Sequence, residues 1–265
     1  MPNIITAALL GVLQGVTEFL PVSSTAHLLI AGRLLGYDDP GGVFTVMIQL
    51  GSIVAIMWLY RDKILEVLRG LSSDPEARHF ALMIVVATVP LLLAGGLLSK
   101  FVKRVLYGSF GVMGAAFVVG GIIMLIAERF RPAPTTRAAD RIPLGRALVM
   151  GCAQTLALIP GVSRSGGTIV AGMLTGVDRP AALEFSFFLA MPAMVAAFGH
   201  DLLEVRHNLS AGRASEIAVG FVMAFISSAL VVRPLLNFVR RSGFALFAWY
   251  RIALGIALLA WVFRS

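Results

Sequence analysis

The 265-residue chain is 58% hydrophobic and only 14% charged, with a mean hydropathy of +0.89. A soluble domain is about 45–50% apolar, so this composition excludes one and points to a membrane protein of helices, which satisfy their own backbone groups in lipid. The net charge of +8 does not argue for a nucleic-acid partner, because the Lys and Arg collect in short loops as on the cytoplasmic side of membrane proteins, without interleaved aromatics.

An apolar helix is predicted over residues 3–20 and a second arm over 23–36. Each is short for a crossing and Pro21 breaks the chain between them, so the pair reads as a re-entrant hairpin. Residues 43–60 read as a span, 61–79 as a charged loop with Arg61, Asp62, Lys63 and Glu66, and 80–98 as a second span. Lys100, Lys103 and Arg104 mark a short basic turn, and 106–127 form a third span whose Gly114, Gly120 and Gly121 allow close helix contact. The polar, proline-rich stretch 129–137 is the one linker. Beyond it come a helix over 144–159, a break at Pro160-Gly161, a second arm over 163–176, and spans over 181–199, 216–236 and 244–263.

The chain, 1–265, is therefore read as a single all-α domain: a polytopic transmembrane helical bundle of six spanning helices and two re-entrant hairpins. The single cysteine, Cys152, excludes an intrachain disulfide. No basic n-region and cleavage site stand at the N-terminus, so Met1 onward is expected to remain.

Internal repeats are expected at about 1–128 and 141–265. At an offset of 140, Gly11, Gln14, Gly36 and Asp38 meet Gly151, Gln154, Gly176 and Asp178; at the break the offset is 139, pairing Pro21 with Pro160 and Ser24 with Ser163. Three spans between the hairpins make the repeats inverted, so the two breaks enter from opposite faces and meet near the midplane, an architecture also used by transporters. Loops 61–79, 128–146 and 237–243, with Arg179, hold most of the Lys and Arg on one side, which makes that side cytoplasmic.

Polar groups inside hydrocarbon are costly and mark functional sites. The stretch Gln14-Gly-Val-Thr-Glu18-Phe-Leu-Pro21-Val-Ser23-Ser24-Thr-Ala-His27 gathers an amide, a carboxylate, hydroxyls and an imidazole at one break. Gln14 and Glu18 share a helix face, and Ser23 and Ser24 precede His27 by four and three. Glu18 reads as a base or metal ligand, with a Ser–His pair available for nucleophilic attack; a buried Glu–His pair that only maintains the fold is the alternative. The second break, Pro160-Gly-Val-Ser163-Arg164-Ser165-Gly166-Gly167-Thr168, offers backbone N–H groups, an Arg fork and hydroxyls to an anion. Here the alternative is a structural pair between Arg164 and Glu18. Gln49, Glu184, Ser186, His79, His200 and Asp201 are the other polar groups of note, the last three read as interfacial.

These two stretches resemble the two signature motifs of the undecaprenyl-diphosphate phosphatase family, integral membrane enzymes linked to bacitracin resistance, over essentially the full chain. The resemblance implies hydrolysis of undecaprenyl diphosphate to undecaprenyl phosphate and inorganic phosphate in the bacterial inner membrane, with the site facing the periplasm. It implies Glu18, Ser24, His27 and Arg164 as catalytic residues, with Ser163, Ser165, Gly166 and Thr168 binding substrate. It further implies a divalent cation, Mg²⁺ or Ca²⁺, at Glu18 and Gln14, and it allows a homodimer. Gln14 stands where the family also has Glu, which leaves only one carboxylate for a metal.

Overall fold

The computed structural model describes residues 4–39, 42–106, 108–205 and 213–264. The first half comprises α1 (Ile4–Phe19), α2 (Ser24–Leu35), α3 (Val43–Leu59), α4 (Arg61–Gly70), α5 (Pro75–Val105) and α6 (Phe110–Phe130). The second half comprises α7 (Leu144–Gln154), which ends in a 3₁₀ turn at Thr155–Leu158, then α8 (Arg164–Leu174), α9 (Arg179–Val205), α10 (Ala214–Ser242) and α11 (Ala245–Val262). Among the described residues the one β-type pairing is an isolated bridge between Thr136 and Val177. Among the described residues five helices (α5, α6, α9, α10 and α11) are long and apolar enough to cross a membrane, and α3 with α4, bent by 68°, makes a sixth if the pair is one span.

Two expectations are corrected. Residues 61–79 are not a loop: α4 occupies 61–70, and α5 begins at Pro75, with Asp74 accepting a hydrogen bond from the Glu76 N–H at 2.9 Å. The charges at 61, 62, 66 and 69 are exposed and Lys63 is half-buried, while Ile64 and Val67 pack on the core. The basic turn near residue 100 is absent as well, because α5 runs unbroken to Val105. The side chains of Lys100, Lys103, Arg104 and Asp201 lie outside the described residues.

The helix α9 runs through the centre, with 61% of its apolar stretch buried against 17–33% in the other four long spans. Around it α1 packs on α10, α7 on α5, and α6 on α11. Two glycines pack closely on a neighbouring backbone. A Cβ on Gly11 would lie 2.3 Å from the Gly220 carbonyl oxygen, and one on Gly151 would lie 2.1 Å from that of Ala87. Each hairpin therefore reaches its neighbour through a backbone contact that only glycine permits. Gly36 and Gly176 likewise both take left-handed backbone, at φ 61° and 84°.

The polar segments meet at two ends of the molecule. At one, Lys63 lies 3.1 Å from Asp140, Arg131 lies 4.0 Å from Asp178, and Arg179 pairs with Glu128. At the other, the Tyr37 hydroxyl donates to Glu216 at 2.9 Å, and Arg213 donates to the Tyr37 hydroxyl at 3.0 Å. Residues 61–79, the stretch 128–146 and Arg179 thus share an end, as the span count requires.

Candidate active site

The helix α1 stops at Phe19 because Pro21 lacks an N–H and crowds the residue before it. The chain then turns through Leu20–Ser23, and the Val22 N–H donates to the Leu20 carbonyl at 2.8 Å. Ser23 takes φ 69°, the one non-glycine left-handed residue among those described, and it makes no side-chain cap on α2. The second break is built differently. Ser163 is a regular N-cap whose Oγ accepts from the Gly166 N–H at 3.1 Å.

Both breaks deliver charge to one place. Glu18 Oε1 accepts from Arg164 Nη2 at 3.0 Å, while Oε2 accepts from the Ser24 hydroxyl at 2.6 Å and from Gln14 Nε2 at 2.9 Å. Arg164 spends its other arm on the Ser186 carbonyl at 3.0 Å. Glu18, Ser24 and Arg164 line a cavity of 420 Å³ together with Ser23, Ser163 and Gln49. Its apolar walls come from the C-terminal halves of α5 (Leu91, Leu92, Val102) and α9 (Ala193, Met194). His200 also lines it. The result is a polar floor holding one carboxylate, one guanidinium and hydroxyls beneath an apolar slot that runs up between two spans.

The expected pairing of Ser24 with His27 is not formed. His27 Nδ1 faces the Ser23 carbonyl at 2.8 Å, and Nε2 faces the Tyr250 hydroxyl at 2.7 Å. Nor does it form the Glu–His pair offered as the structural alternative. Of the four residues expected to bind substrate, only Ser163 reaches the cavity. The Ser165 hydroxyl donates to the Leu20 carbonyl at 2.9 Å, stitching the second break to the first, and Thr168 donates to the Arg164 carbonyl at 3.0 Å within its own helix. The Gly166 and Gly167 N–H groups are taken by Ser163, so the glycine-rich backbone is a cap rather than an open anion cradle.

The residues do not fit a divalent cation held by the protein alone. Both Glu18 oxygens already accept from protein donors. Gln14 offers one neutral oxygen, Oε1, which is buried without a partner among the described residues. Among the described residues no three His, Cys, Asp or Glu side chains cluster as a metal site.

Sequence reasoning missed Arg251. It is 2% exposed and donates to the Pro21, Ala116 and Gly161 carbonyls at 3.0, 3.1 and 3.1 Å. It thereby ties both breaks to α6 and α11. Gly120 makes room for it, since a Cβ there would sit 2.1 Å from Arg251 Nη2. The signal was available: an Arg in the middle of the apolar run 244–263.

The chain matches the family described as bacitracin resistance protein BacA over residues 7–257. It belongs to that family. Relatives named undecaprenyl-diphosphatase include one from Paracoccus denitrificans, 46% identical over 97% of this chain and 96% of that protein. Another from Acinetobacter baumannii is 46% identical over 97% and 95%, and "undecaprenyl-diphosphatase 1" of Mesorhizobium japonicum is 45% identical over 98% of each. The BacA match spans both breaks and all of the helices around the cavity.

Proposed function

We propose that this BacA-family chain hydrolyses undecaprenyl diphosphate to undecaprenyl phosphate and inorganic phosphate, as its relatives' names describe. The observation that carries the reading is the Ser24–Glu18–Arg164 cluster at the base of a slot with apolar walls. The diphosphate lies on the polar floor and the isoprenoid tail runs between α5 and α9 toward lipid.

Arg164 holds the terminal phosphoryl group and stabilises the charge that develops as the anhydride opens. The Ser24 hydroxyl, already donating to Glu18 at 2.6 Å, attacks the terminal phosphorus and passes its proton to the carboxylate. The bond from that phosphorus to the bridging oxygen breaks, and undecaprenyl phosphate leaves with the oxygen. Water then attacks the phosphoserine, the Ser24 oxygen–phosphorus bond breaks as Glu18 returns its proton to that oxygen, and inorganic phosphate departs with the water's oxygen. His27 stands behind this centre, one turn along α2.

The site lies toward the end of the molecule where α5 and α9 finish, opposite the end that gathers α4, the start of α5 and residues 128–146. The positive-inside bias makes that second end cytoplasmic, so substrate enters from the periplasmic face of the bacterial inner membrane. The test is phosphate release from undecaprenyl diphosphate by detergent-purified protein, where transport across a membrane has no meaning. Release, with acid-stable phosphate trapped on Ser24 after a quench, supports the reading. Absence of release favours a lipid transporter, and phosphate trapped on another residue removes Ser24 from its role.

A further inference from the structure

Consecutive residues of α11 grip the two carbonyls on either side of Val22. Arg251 Nη1 donates to the Pro21 carbonyl at 3.0 Å. Tyr250 reaches the Ser23 carbonyl through one intermediate: its hydroxyl meets His27 Nε2 at 2.7 Å, and His27 Nδ1 meets the Ser23 carbonyl at 2.8 Å. A carbonyl can only accept, so Nδ1 carries a proton, and in the neutral ring Nε2 then accepts from the phenol. The two rings stack, with centroids 5.7 Å apart and planes within 12°, and Phe117 meets the His27 ring edge-on at 5.6 Å. His27 is therefore fixed in one tautomer and one orientation.

What it fixes is the strained point of the hairpin. Ser23 is the left-handed residue at φ 69°, a conformation that costs a residue with a side chain about 1–2 kcal/mol and persists only where its surroundings enforce it. The next residue is Ser24, whose hydroxyl direction follows from the Ser23 backbone. We propose that Tyr250 is a positioning residue for the phosphatase reaction. Acting through His27, its hydroxyl holds the Ser23 carbonyl, and with Arg251 on the Pro21 carbonyl it keeps Ser24 aimed at Glu18 and the cavity. The inference rests on the phosphatase reading and adds to it a residue of α11, outside both motifs.

The experiment compares full-length, detergent-purified wild type, Tyr250→Phe and Tyr250→Leu on undecaprenyl diphosphate, recording kcat, KM and Tm. The phenylalanine keeps the stacked ring and removes only the hydroxyl. The expected result is a kcat about ten- to hundred-fold lower in Tyr250→Phe, the size of effect that a misplaced reacting group produces, with KM within about two-fold and Tm close to wild type. Packing alone would leave Tyr250→Phe like wild type and impair only Tyr250→Leu, which would overturn the inference. A second arm uses His27→Asn, which keeps an N–H near the position of Nδ1 but has nothing for Tyr250 to bond. It is expected to recover about ten-fold over His27→Ala and to make the Tyr250→Phe change silent, because coupled residues are non-additive. A His27→Asn enzyme that Tyr250→Phe slows further would show that the phenol acts elsewhere and would sink the clamp. A wild type that releases no phosphate refutes the reading underneath, whereas an active wild type with an unaffected Tyr250→Phe refutes only the clamp.

Discussion

Glu18 Oε1 and Arg164 Nη2 stand 3.0 Å apart, joining residues 146 positions apart in the chain and belonging to different hairpins. Their side chains are 6% and 12% exposed. Removing one partner of a buried pair strands the other, at about 3–5 kcal/mol. Arg164 also binds the Ser186 carbonyl, and a lysine's single point charge cannot keep both contacts and a phosphate. Arg164→Lys should therefore retain most of the thermal stability and lose about a hundred-fold in kcat/KM. Melting curves and phosphate release on the same preparation check this.

The left-handed Ser23 carries a second expectation. Glycine adopts φ 69° without the Cβ penalty. Ser23→Gly should be more stable than Ser23→Ala by about 1 kcal/mol, read as the difference between their denaturation midpoints. Equal midpoints would mean that the turn is not strained in solution.

Gln14 lies against Glu18 through Nε2 at 2.9 Å and leaves Oε1 without a partner among the described residues. Gln14→Glu replaces that donor with a second carboxylate, and like charges this close cannot both ionise without a counter-ion. The variant should gain binding of Mg²⁺ or Ca²⁺ that the wild-type side chains do not provide, and its activity should become sensitive to chelator. Titration of activity against free cation measures the shift.

The glycine contacts give a stability contrast. Gly11→Val drives a side chain into the Gly220 carbonyl and should cost about 3 kcal/mol or more. Gly145 lies in α7, and a Cβ there would meet no atom within 4 Å, so Gly145→Ala should be neutral or stabilising by up to about 1 kcal/mol. Thermal denaturation in one detergent compares them.

Much of this site was legible because charge inside an apolar run must answer to something. Glu18 and Arg164 lacked partners nearby in sequence, and pairing them with each other was one of the options their burial left open. Pro21 and Pro160-Gly161 located both breaks. The partner of Ser24 was not legible: spacing of three and four places side chains on one face of a regular helix, but the left-handed Ser23 sits where that helix starts, and His27 turns back to the Ser23 carbonyl. Ser165 and Thr168 looked like phosphate donors because hydroxyls near glycines do, yet backbone carbonyls at Leu20 and Arg164 claim them. The helix α4 was hidden because its charges masked an apolar edge that counts only when α5 and the core are beside it. Arg251 could have been found by the same rule that found Arg164.

The most direct measurement is a double-mutant cycle across the two hairpins: kcat/KM for phosphate release from undecaprenyl diphosphate by wild type, Glu18→Ala, Arg164→Ala and the double variant. One shared reacting centre predicts that each single change removes about 10³-fold or more and that the double variant is no more than about three-fold slower than the worse single one. Losses that multiply, or a single variant that keeps wild-type turnover, would contradict a site built jointly by the two breaks.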